Sequence, residues 1–495
     1  MNTSRNKPKI LMIAPLPPPV HGSAMMTQYI KDSGIINNAV EMDWVNLSTS
    51  RSLDEIGRKS IKKFFRFATS YLLTFWKLLI HRYDTCYLAI TCHGIGFLKD
   101  APFVLMCKLF KHKIILHQHN KGMADDVDRP IYRWLLPLVY RDTKVILLSQ
   151  RLYPDIAKVV LPTQIAICPN GIPMCEKRPR HQRGNTVPRL LFLSNLIESK
   201  GVFVLLDACR ILKERGLKFT CRFVGGETSE ITRQRFEEEI KSRGLDETVI
   251  YAGTKYNDDK AQEFSNADIF IHPTLNDCFP LSLIEAMSHA LPAISTNEGG
   301  IPDIISDKIS GYITESHSPH ELAIKIANMI EEPEIRRKMG YEAYHKFQSE
   351  FSIDKFEHRI HSILTSVNQS GGVKYVEYIG PKYGLDKTSE LDNADIFIFP
   401  SFYKNECFPL VLLEAMQHSL PVITTDNGGI PDIVRHNTSG IITPPGSSTA
   451  LADHIQNLIK SPELRIAIGQ NGYNSYIHNY TITHFEQQIL HCITD

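Results

Sequence analysis

Residues 276–287 read Asn-Asp-Cys-Phe-Pro-Leu-Ser-Leu-Ile-Glu-Ala-Met. This stretch places a loop carboxylate, Asp277, eight residues before a second carboxylate, Glu285. Between them the pattern predicts the start of a helix, where free amides and the positive dipole end can bind a phosphate. The residues that open this helix are Phe279, Pro280 and Leu281. Glu285 then lies about two turns along it, so one ligand could contact both acids with its phosphates at the helix start.

The same spacing occurs a second time in the chain. Residues 405–443 repeat residues 276–314 with 24 identities in 39 aligned positions, which chance does not produce. The second copy carries Glu406 and Glu414 at the two acidic positions. A single pair of acids near a helix start is ordinarily a structural acid and a solvated one. Its recurrence favours a functional interpretation.

Apolar, strand-like runs alternate with helix-length segments on both sides of a proline-rich stretch, Pro169-Asn170-Gly171-Ile172-Pro173. Such alternation predicts parallel, doubly wound α/β domains. The expected strands are residues 9–14, 85–91, 113–117, 144–149 and 164–168, then 190–193, 219–224, 249–251, 269–272 and 293–295. We therefore expect a first domain at 1–175 and a second at 186–367.

The remainder of the chain is a partial repeat of the second domain. A short joint at 368–375 precedes residues 376–495, which match 249–367, so the tail has only about half a sheet to bury. Two hypotheses follow. The tail is an inert remnant, or it exchanges with 249–367 and supplies its own acids. The cost of closing a long loop favours the first.

Composition limits the classes of function. At 495 residues the chain exceeds one ordinary core, and a net charge of +1 excludes a general affinity for nucleic acid. Residues 371–495 contain 7 basic and 13 acidic residues, which gives this segment a net charge of −6 and leaves +7 for the rest of the chain.

Ten scattered cysteines without a CxxC pair predict a reduced, cytoplasmic protein without a zinc site. The N-terminal apolar run is too short to predict a signal peptide or anchor.

The two acidic segments resemble the E-x7-E motif of retaining family 4 glycosyltransferases, which have the GT-B fold. The tail matches the motif fully, whereas the first copy has Asp277 in place of the first Glu. Other pieces follow in the order of that family. They are Pro169-Asn170-Gly171-Ile172, Ser194-Asn195-Leu196 through Lys200-Gly201, and Val224-Gly225-Gly226. The resemblance covers residues 9–367 and recurs partly in the tail.

The resemblance implies two Rossmann-like domains facing a cleft, with a nucleoside-diphosphate-sugar donor on the second and the acceptor on the first. It implies transfer of a sugar to an acceptor hydroxyl with retention of configuration, without a metal or another cofactor. Asp277 would orient the sugar and Glu285 the ribose. Lys200 would place a point charge on the diphosphate, beside the amides of residues 279–281. Asn195 replaces the usual Arg, so a bidentate phosphate clamp is missing.

Two positions in the first domain resemble features that the family places at the acceptor, the diphosphate and the transferred sugar. Gly22, in the loop after the first strand, permits close approach of the backbone to a phosphate or sugar. His119, after the strand ending at 117, matches the family's active-site histidine, although a histidine at a strand end is often structural. Asp126-Val127-Asp128 has the spacing of a metal motif, and we interpret it as solvated surface.

Residues 58–82 combine basic, aromatic and leucine positions without an acid. Such a helix could lie on an anionic membrane, which suits a lipid-linked acceptor in surface polysaccharide or glycolipid assembly and a location at the inner membrane face. A core helix with a basic outer face fits equally well. A different class also stays open: because Asp277 and Asn195 depart from the family pattern, the chain could bind sugar nucleotides as a scaffold without turnover.

Overall fold

The structure is a computed structural model that describes residues 7–18, 22–48, 61–175, 187–366, 381–401 and 407–494, with only the backbone at 61–65 and 494. The expected joint at 368–375 and the tail acid Glu406 lie outside these ranges. The chain forms two compact units, Met1–Val373 and Lys374–Asp495. In the part of the chain described, no helix is both long and apolar enough to cross a bilayer.

The first half of the larger unit contains a parallel sheet of six strands in the order β2-β1-β3-β4-β5-β6. The strands are β1 (Lys9–Ala14), β2 (Glu41–Asn46), β3 (Thr85–Ile90), β4 (Lys113–Gln118), β5 (Lys144–Leu147) and β6 (Ile165–Ile167). Most are short apolar runs, as strands covered by helices on both faces must be. The exception is the polar β2, which pairs with β1 along its whole length from Glu41 to Asn46 and which the sequence pattern missed.

Seven helices are described in this half: α1 (Gly22–Asp32), α2 (Gly34–Ala39), α3 (Ile61–Ile80), α4 (Gly94–Leu109), α5 (Met123–Asp126), α6 (Pro130–Tyr140) and α7 (Tyr153–Ile156). Connections between parallel strands are right-handed. The links through α3, α4 and α6 all advance towards β6, so these three helices cover one face of the sheet. The link from β1 back to β2 places α1 and α2 on the other face.

The second half contains another six-stranded parallel sheet, in the order β12-β11-β10-β7-β8-β9. Its strands are β7 (Arg189–Leu193), β8 (Thr220–Val224), β9 (Val249–Tyr251), β10 (Ile269–His272), β11 (Ala293–Thr296) and β12 (Gly311–Thr314). Its helices are α8 (Val202–Glu214), α9 (Arg233–Ser242), α10 (Asn257–Asn266), α11 (Leu281–Ser288), α12 (Ile301–Ile304), α13 (Pro319–Glu331), α14 (Pro333–Lys346) and α15 (Ile353–Ser366). The expectation of two doubly wound α/β domains is confirmed.

Helix α15 crosses back to the first half of the unit. It packs on α1 and α2, although it lies within the segment 186–367 expected to form the second domain. Its buried residues Phe356, Ile360 and Leu364 recur every fourth position and form the apolar stripe that makes this contact. The last helix therefore ties the two halves together.

The strand order reverses beside β1 in the first sheet and beside β7 in the second. Open α/β sheets bind ligands at the carboxyl ends of strands next to such a reversal. The loops that leave β1, β4, β7 and β10 there carry the predicted site residues.

The second unit has a parallel three-stranded sheet, β13 (Phe397–Phe399), β14 (Val422–Thr425) and β15 (Ile441–Thr443). Its helices are α16 (Gly384–Asn393), α17 (Leu410–Gln417), α18 (Ile430–Ile433), α19 (Ser448–Lys460), α20 (Pro462–Asn479) and α21 (Ile482–Thr494). The strand order repeats that of β10, β11 and β12. In the larger unit β10 pairs with β7, so the first copy occupies its own place beside β7 and is not exchanged in this structure.

Candidate functional site

A cavity of about 880 Å³ lies in the larger unit, between the loops at the carboxyl edges of its two sheets. Its wall includes eight of the predicted site residues: Gly22, His119, Lys200, Asp277, Phe279, Pro280, Leu281 and Glu285. Asn195 is not part of the wall that the described residues form. Glu414 lies in α17 of the other unit.

The turn between β7 and α8 positions Lys200. A short 3₁₀ turn, Glu198–Lys200, is followed by Gly201 with φ 78°. A Cβ at Gly201 would lie 1.9 Å from the carbonyl oxygen of Pro273, which no side chain can tolerate. The glycine therefore lets this turn pack directly on the loop that follows β10.

Lys200, Asp277 and His272 form one hydrogen-bonded group. Lys200 Nζ lies 2.6 Å from Asp277 Oδ2 and 3.1 Å from the carbonyl oxygen of Asn276. His272 Nε2 lies 3.2 Å from the same Oδ2. The amide of Cys278 donates to the other carboxylate oxygen, Oδ1, at 2.8 Å. Both oxygens of Asp277 are thus held by the chain itself.

The charge of Asp277 is stabilised by these partners. Burial by itself raises the pKa of the Asp277 carboxyl, but the hydrogen bond from His272 and the charge of Lys200 outweigh burial and leave the pKa below its ordinary value. Asp277 therefore remains ionised at neutral pH, and its contribution to stability is present above the pKa of the unfolded chain and lost as the pH falls towards the lower folded value.

Helix α11 begins at Leu281, with Pro280 as the residue that precedes its first turn. Pro280 has no N–H group. The expectation that three successive amides at 279–281 face a phosphate is therefore wrong for Pro280, and only the amides of Phe279 and Leu281 remain from that set. Pro280 instead fixes the backbone angle at the entry to the helix.

Glu285 lies further along α11 and is bound on one side only. Its Oε1 accepts a hydrogen bond from Lys260 Nζ at 2.6 Å. Its Oε2 is buried and has no hydrogen-bond partner among the described residues. Tyr29, from the first half, lies near enough that its pKa is raised by burial and by the charge of Glu285. The second unit repeats the ion pair, with Lys387 Nζ 2.5 Å from Glu414 Oε1.

Asn195 has a structural contact. Its Oδ1 accepts a hydrogen bond from the amide of Gly226 at 3.0 Å, which joins the end of β7 to the end of β8. Gly225 is required beside it, because a Cβ there would lie 1.9 Å from the carbonyl oxygen of Ser194. No guanidinium occupies this position, so Lys200 is the cation that this loop contributes.

The first half supplies the opposite wall of the cavity. Gly22 opens α1 and faces α11, since a Cβ built on it would lie 3.6 Å from Leu281 Cδ1. His119 follows β4, with its ring centroid 4.1 Å from that of the buried His117. His117 Nδ1 lies 2.6 Å from the hydroxyl of Tyr87, and burial followed by the proximity of His119 lowers the pKa of His117.

Asp100 of α4 also lines the cavity, although no sequence pattern predicted a role for it. The amide of Thr91 donates to its Oδ2 at 2.8 Å. Burial raises the pKa of Asp100 to about 6, although the hydrogen bonds from Thr91 act in the other direction. The wall that the first half contributes to the cavity thus contains a carboxyl group whose pKa is raised to about 6.

The Asp126-Val127-Asp128 sequence does not form a common site. Asp126 is buried, accepts a hydrogen bond from the amide of Gly94 at 2.6 Å and pairs with Arg129, so its interpretation as solvated surface is wrong. Asp128 is exposed and pairs with Lys158 at 3.0 Å. Among the described residues, no group of three or more His, Cys, Asp or Glu side chains could hold a metal ion.

Three functional candidates were missed for different reasons. Lys260 occurs in a charged helix that resembles any solvated surface, but its recurrence as Lys387 was a usable signal. His272 ends an apolar strand, and Asp100 is one acid in an apolar helix. For these two residues only the tertiary packing reveals the contact with the cavity.

The fold and cleft define a class: two Rossmann-like domains with a cavity between them, the GT-B arrangement. A glycosyltransferase from Rickettsia africae ESF-5 has this fold with a TM-score of 0.59 at 17% identity, over 74% of this chain and all of that one. The Anabaena protein HepE, solved in complex with UDP and glucose, has a TM-score of 0.55 at 16% identity, over 73% and 100%. The predicted fold class is confirmed.

The family model of glycosyl transferases group 1 matches residues 174–346 and residues 362–475. The chain belongs to this family. The putative colanic acid biosynthesis glycosyltransferase WcaL of Escherichia coli K12 is 29% identical over 171 residues, 33% of this chain and 41% of the relative. The amylovoran biosynthesis glycosyltransferase AmsK of Erwinia amylovora is 31% identical over 141 residues, 27% and 34%. The match thus spans less than half the length of these curated relatives.

Proposed function

We propose that the protein transfers a sugar from a nucleoside-diphosphate sugar to an acceptor hydroxyl with retention of anomeric configuration. The observation that carries this proposal is the row of groups along the cavity. Lys200 and Asp277 lie at the entry to α11, and the Glu285 carboxylate lies further along the same helix. This row offers a cation for a diphosphate and an acceptor for hydroxyl groups.

Each part of the donor has a complementary group. An ammonium has three N–H donors, and Lys200 uses two on Asp277 and Asn276, so the third can bind the diphosphate as negative charge develops on it. The buried Oε2 of Glu285, which has no hydrogen-bond partner among the described residues, suits the ribose hydroxyls, which are hydrogen-bond donors. His119 and the Gly22 turn would face the reacting sugar and acceptor from the other wall.

Retention and independence of metals follow from the family resemblance, and Lys200 supplies the charge that a metal would otherwise bring. The test is transfer by purified, EDTA-treated protein, with the anomer of the product assigned by NMR. We expect the donor configuration in the product and unchanged activity after EDTA. An inverted product, or activity that returns only with a divalent cation, would contradict the mechanism.

A scaffold that binds sugar nucleotides without turnover is the second candidate. It is favoured by Asp277, whose oxygens are both held by the chain, and by Asn195, which bonds Gly226 rather than reaching the cavity wall. Wild-type protein and Glu285→Ala would be compared for donor hydrolysis and transfer. Tight binding of the wild type without turnover across a broad acceptor panel would support the scaffold.

A candidate membrane surface lies on the first half of the larger unit. Phe75 of α3 lies beside Phe110, the residue after α4, with ring centroids 5.7 Å apart. Lys108 Nζ of α4 donates to the carbonyl oxygen of Leu138 of α6 at 2.7 Å. We name the outer side of these three helices the three-helix surface. The exposed apolar residues of these helices include Leu72, Trp76, Leu79, Leu109, Trp134 and Leu138.

The charge of these helices matches an anionic membrane. Together they contain seven Lys or Arg residues and one acid, Asp100, which faces the cavity. Tryptophan and leucine with surrounding basic residues are the pattern of helices that lie in a membrane interface. Phe67, also on α3, lines the cavity. We therefore extend the proposal to a lipid-linked acceptor, surface polysaccharide or glycolipid assembly, and a position at the inner membrane face.

Flotation with vesicles tests this part. The wild type is expected to float with phosphatidylglycerol–phosphatidylethanolamine vesicles and not with phosphatidylcholine, and a Trp76→Ser/Trp134→Ser variant to bind about tenfold less. The matched control, Leu385→Ser, changes an exposed leucine of the second unit. Equal binding to both vesicles, or self-association that the two tryptophan changes abolish, would overturn the membrane assignment.

A further inference from the structure

The internal repeat allows one site to be compared with its own second copy. In the first copy β10 ends in His272 and the loop acid is Asp277. In the tail the corresponding strand end is Phe399 and the acid is Glu406, after a loop two residues longer. A histidine accompanies the short acid, and a phenylalanine accompanies the long one.

The packing around His272 fixes its ring. The side chain is 2% exposed, and its ring centroid lies 6.4 Å from that of Phe192 and 6.3 Å from that of Phe270. Its Nδ1 is buried and has no hydrogen-bond partner among the described residues. A buried N–H without a partner costs free energy, so the favoured tautomer carries its proton on Nε2 and donates to Asp277 Oδ2.

We propose that His272 is a positioning residue. It holds the short Asp277 carboxylate against Lys200, so that the Lys200 ammonium is fixed with one N–H directed to the donor diphosphate. This inference rests on the proposed function, because Lys200 needs a diphosphate to act on. Asp277 then acts through Lys200, and does not orient the sugar as the family resemblance implied.

The geometry supports this role over a direct role for Asp277. Lys200 has a long flexible stem, and anchoring its head before binding lowers the entropy lost when the donor arrives. Asp277 Oδ2 receives both His272 and Lys200, and Oδ1 receives the Cys278 amide. A glutamate in place of Asp277 would carry an extra methylene against the immobile histidine ring, where a close-packed interior leaves little room.

The two positions should therefore behave as a coupled pair. His272→Phe removes the hydrogen-bond donor to the buried Asp277 carboxylate. Asp277→Glu places an extra methylene against the His272 ring. We expect each change to weaken binding of the nucleoside diphosphate about tenfold. The double variant carries the same pair of residue types as Phe399 and Glu406 of the tail. We expect it to bind the nucleoside diphosphate more tightly than the two single losses of affinity, multiplied together, would predict. His272→Gln keeps a donor, and we expect it to stay within about threefold of the wild type.

The experiment measures dissociation constants of UDP, GDP, ADP, dTDP and CDP by calorimetry, with the tightest binder used for all variants of the full chain. Lys200→Ala is the reference, and urea unfolding without ligand is recorded for each variant. The inference is wrong if the double variant loses affinity by the full product of the two single losses. It is also wrong if His272→Gln binds the nucleotide as weakly as His272→Phe.

Lys200→Ala distinguishes the positioning role of His272 from the proposed donor site. If Lys200→Ala loses affinity and His272→Phe does not, the positioning role of His272 is wrong and the donor site stands. If the wild type binds none of the five nucleotides, the proposed function and the positioning role fail together. If the Phe variant does not fold, the Gln and double variants carry the comparison.

Discussion

Glu285 is held by Lys260 through one carboxylate oxygen, while the other is buried without a partner among the described residues. An unsatisfied buried acceptor costs about 1–3 kcal/mol. A folded protein tolerates this cost where a ligand supplies the missing hydrogen bond. We therefore expect this second oxygen to be the atom of Glu285 that a donor ribose contacts.

Glu285→Gln tests this use of the carboxylate. Because hydrogen bonds to a charged acceptor are worth about 1.5–3 kcal/mol, we expect donor affinity to fall by about ten- to a hundredfold with little change in thermal midpoint. Calorimetry with the nucleotide that the wild type binds gives the affinity. Glu414→Gln alters the matching ion pair of the tail and should leave affinity unchanged. Equal losses in both variants would show that the tail takes part in binding.

Asp100 gives a prediction on pH dependence. Its folded pKa is raised from 3.8 to about 6, so between these values the folded protein keeps a proton that the unfolded chain releases. Stability contributed by the neutral acid is then lost as the pH rises through this window. We expect the free energy of unfolding, relative to Asp100→Asn, to fall by about 1–2 kcal/mol from pH 4 to pH 7, after allowing for water in the cavity.

Urea unfolding of wild-type protein and Asp100→Asn at each pH unit measures this difference. The Asn variant keeps the shape of the side chain and removes its titration. A difference that stays constant over the range would contradict the raised pKa of Asp100.

At the scale of elements, the turn from β7 to α8 depends on direct contact between two backbones. Gly201 and Gly216 lie before and after α8 with nearly equal angles, φ 78° and 79°. A Cβ at Gly201 would meet the carbonyl oxygen of Pro273 at 1.9 Å, whereas a Cβ at Gly216 has nothing within 4 Å. Only the first glycine is therefore required by packing as well as by its backbone angle.

Gly216→Ala is expected to cost about 1–2 kcal/mol of unfolding free energy, from the left-handed backbone alone. Gly201→Ala should cost at least about 3 kcal/mol, since the clash adds to the same strain, and should move Lys200 away from Asp277. Urea denaturation of both variants gives the comparison. Equal losses of unfolding free energy in the two variants would mean that the loop after β10 can move to accommodate the added methyl group.

The predicted strands show which strands can be detected from the periodicity of apolar residues and from apolar runs in the sequence. Buried runs such as Lys9–Ala14 are found at their predicted bounds. Strand β2 was missed because Glu41–Asn46 alternates polar and apolar residues and buries only Val45. Strand β12 was missed because Gly311–Thr314 is a short segment that is half-buried at two positions. Such segments become strands through pairing with a buried neighbour.

At the scale of the whole molecule, every residue that lines the cavity lies in the unit Met1–Val373. Both six-stranded sheets are complete within it. The second unit has the counterpart of Glu285 in Glu414, but its three described strands have no counterpart of the β7 turn that carries Lys200.

A protein ending at residue 368 is therefore expected to fold and to bind the donor within about threefold of the full chain, because no group at the cavity is removed. Thermal unfolding and nucleotide calorimetry on both proteins measure this. Loss of binding by a truncated protein that still unfolds cooperatively would support exchange of the tail with residues 249–367.

The sequence by itself determined the two doubly wound domains, the repeat and the spacing of the acidic motif, because each is a local pattern of period, turn residues or identity along the chain. Tertiary structure alone decided that α15 returns to the first half, that Asp126 is buried, and that Lys200 meets Asp277. The physical reason is distance along the chain. Lys200 meets Asp277 across 77 residues, and no local pattern encodes which loops meet at the edges of two sheets.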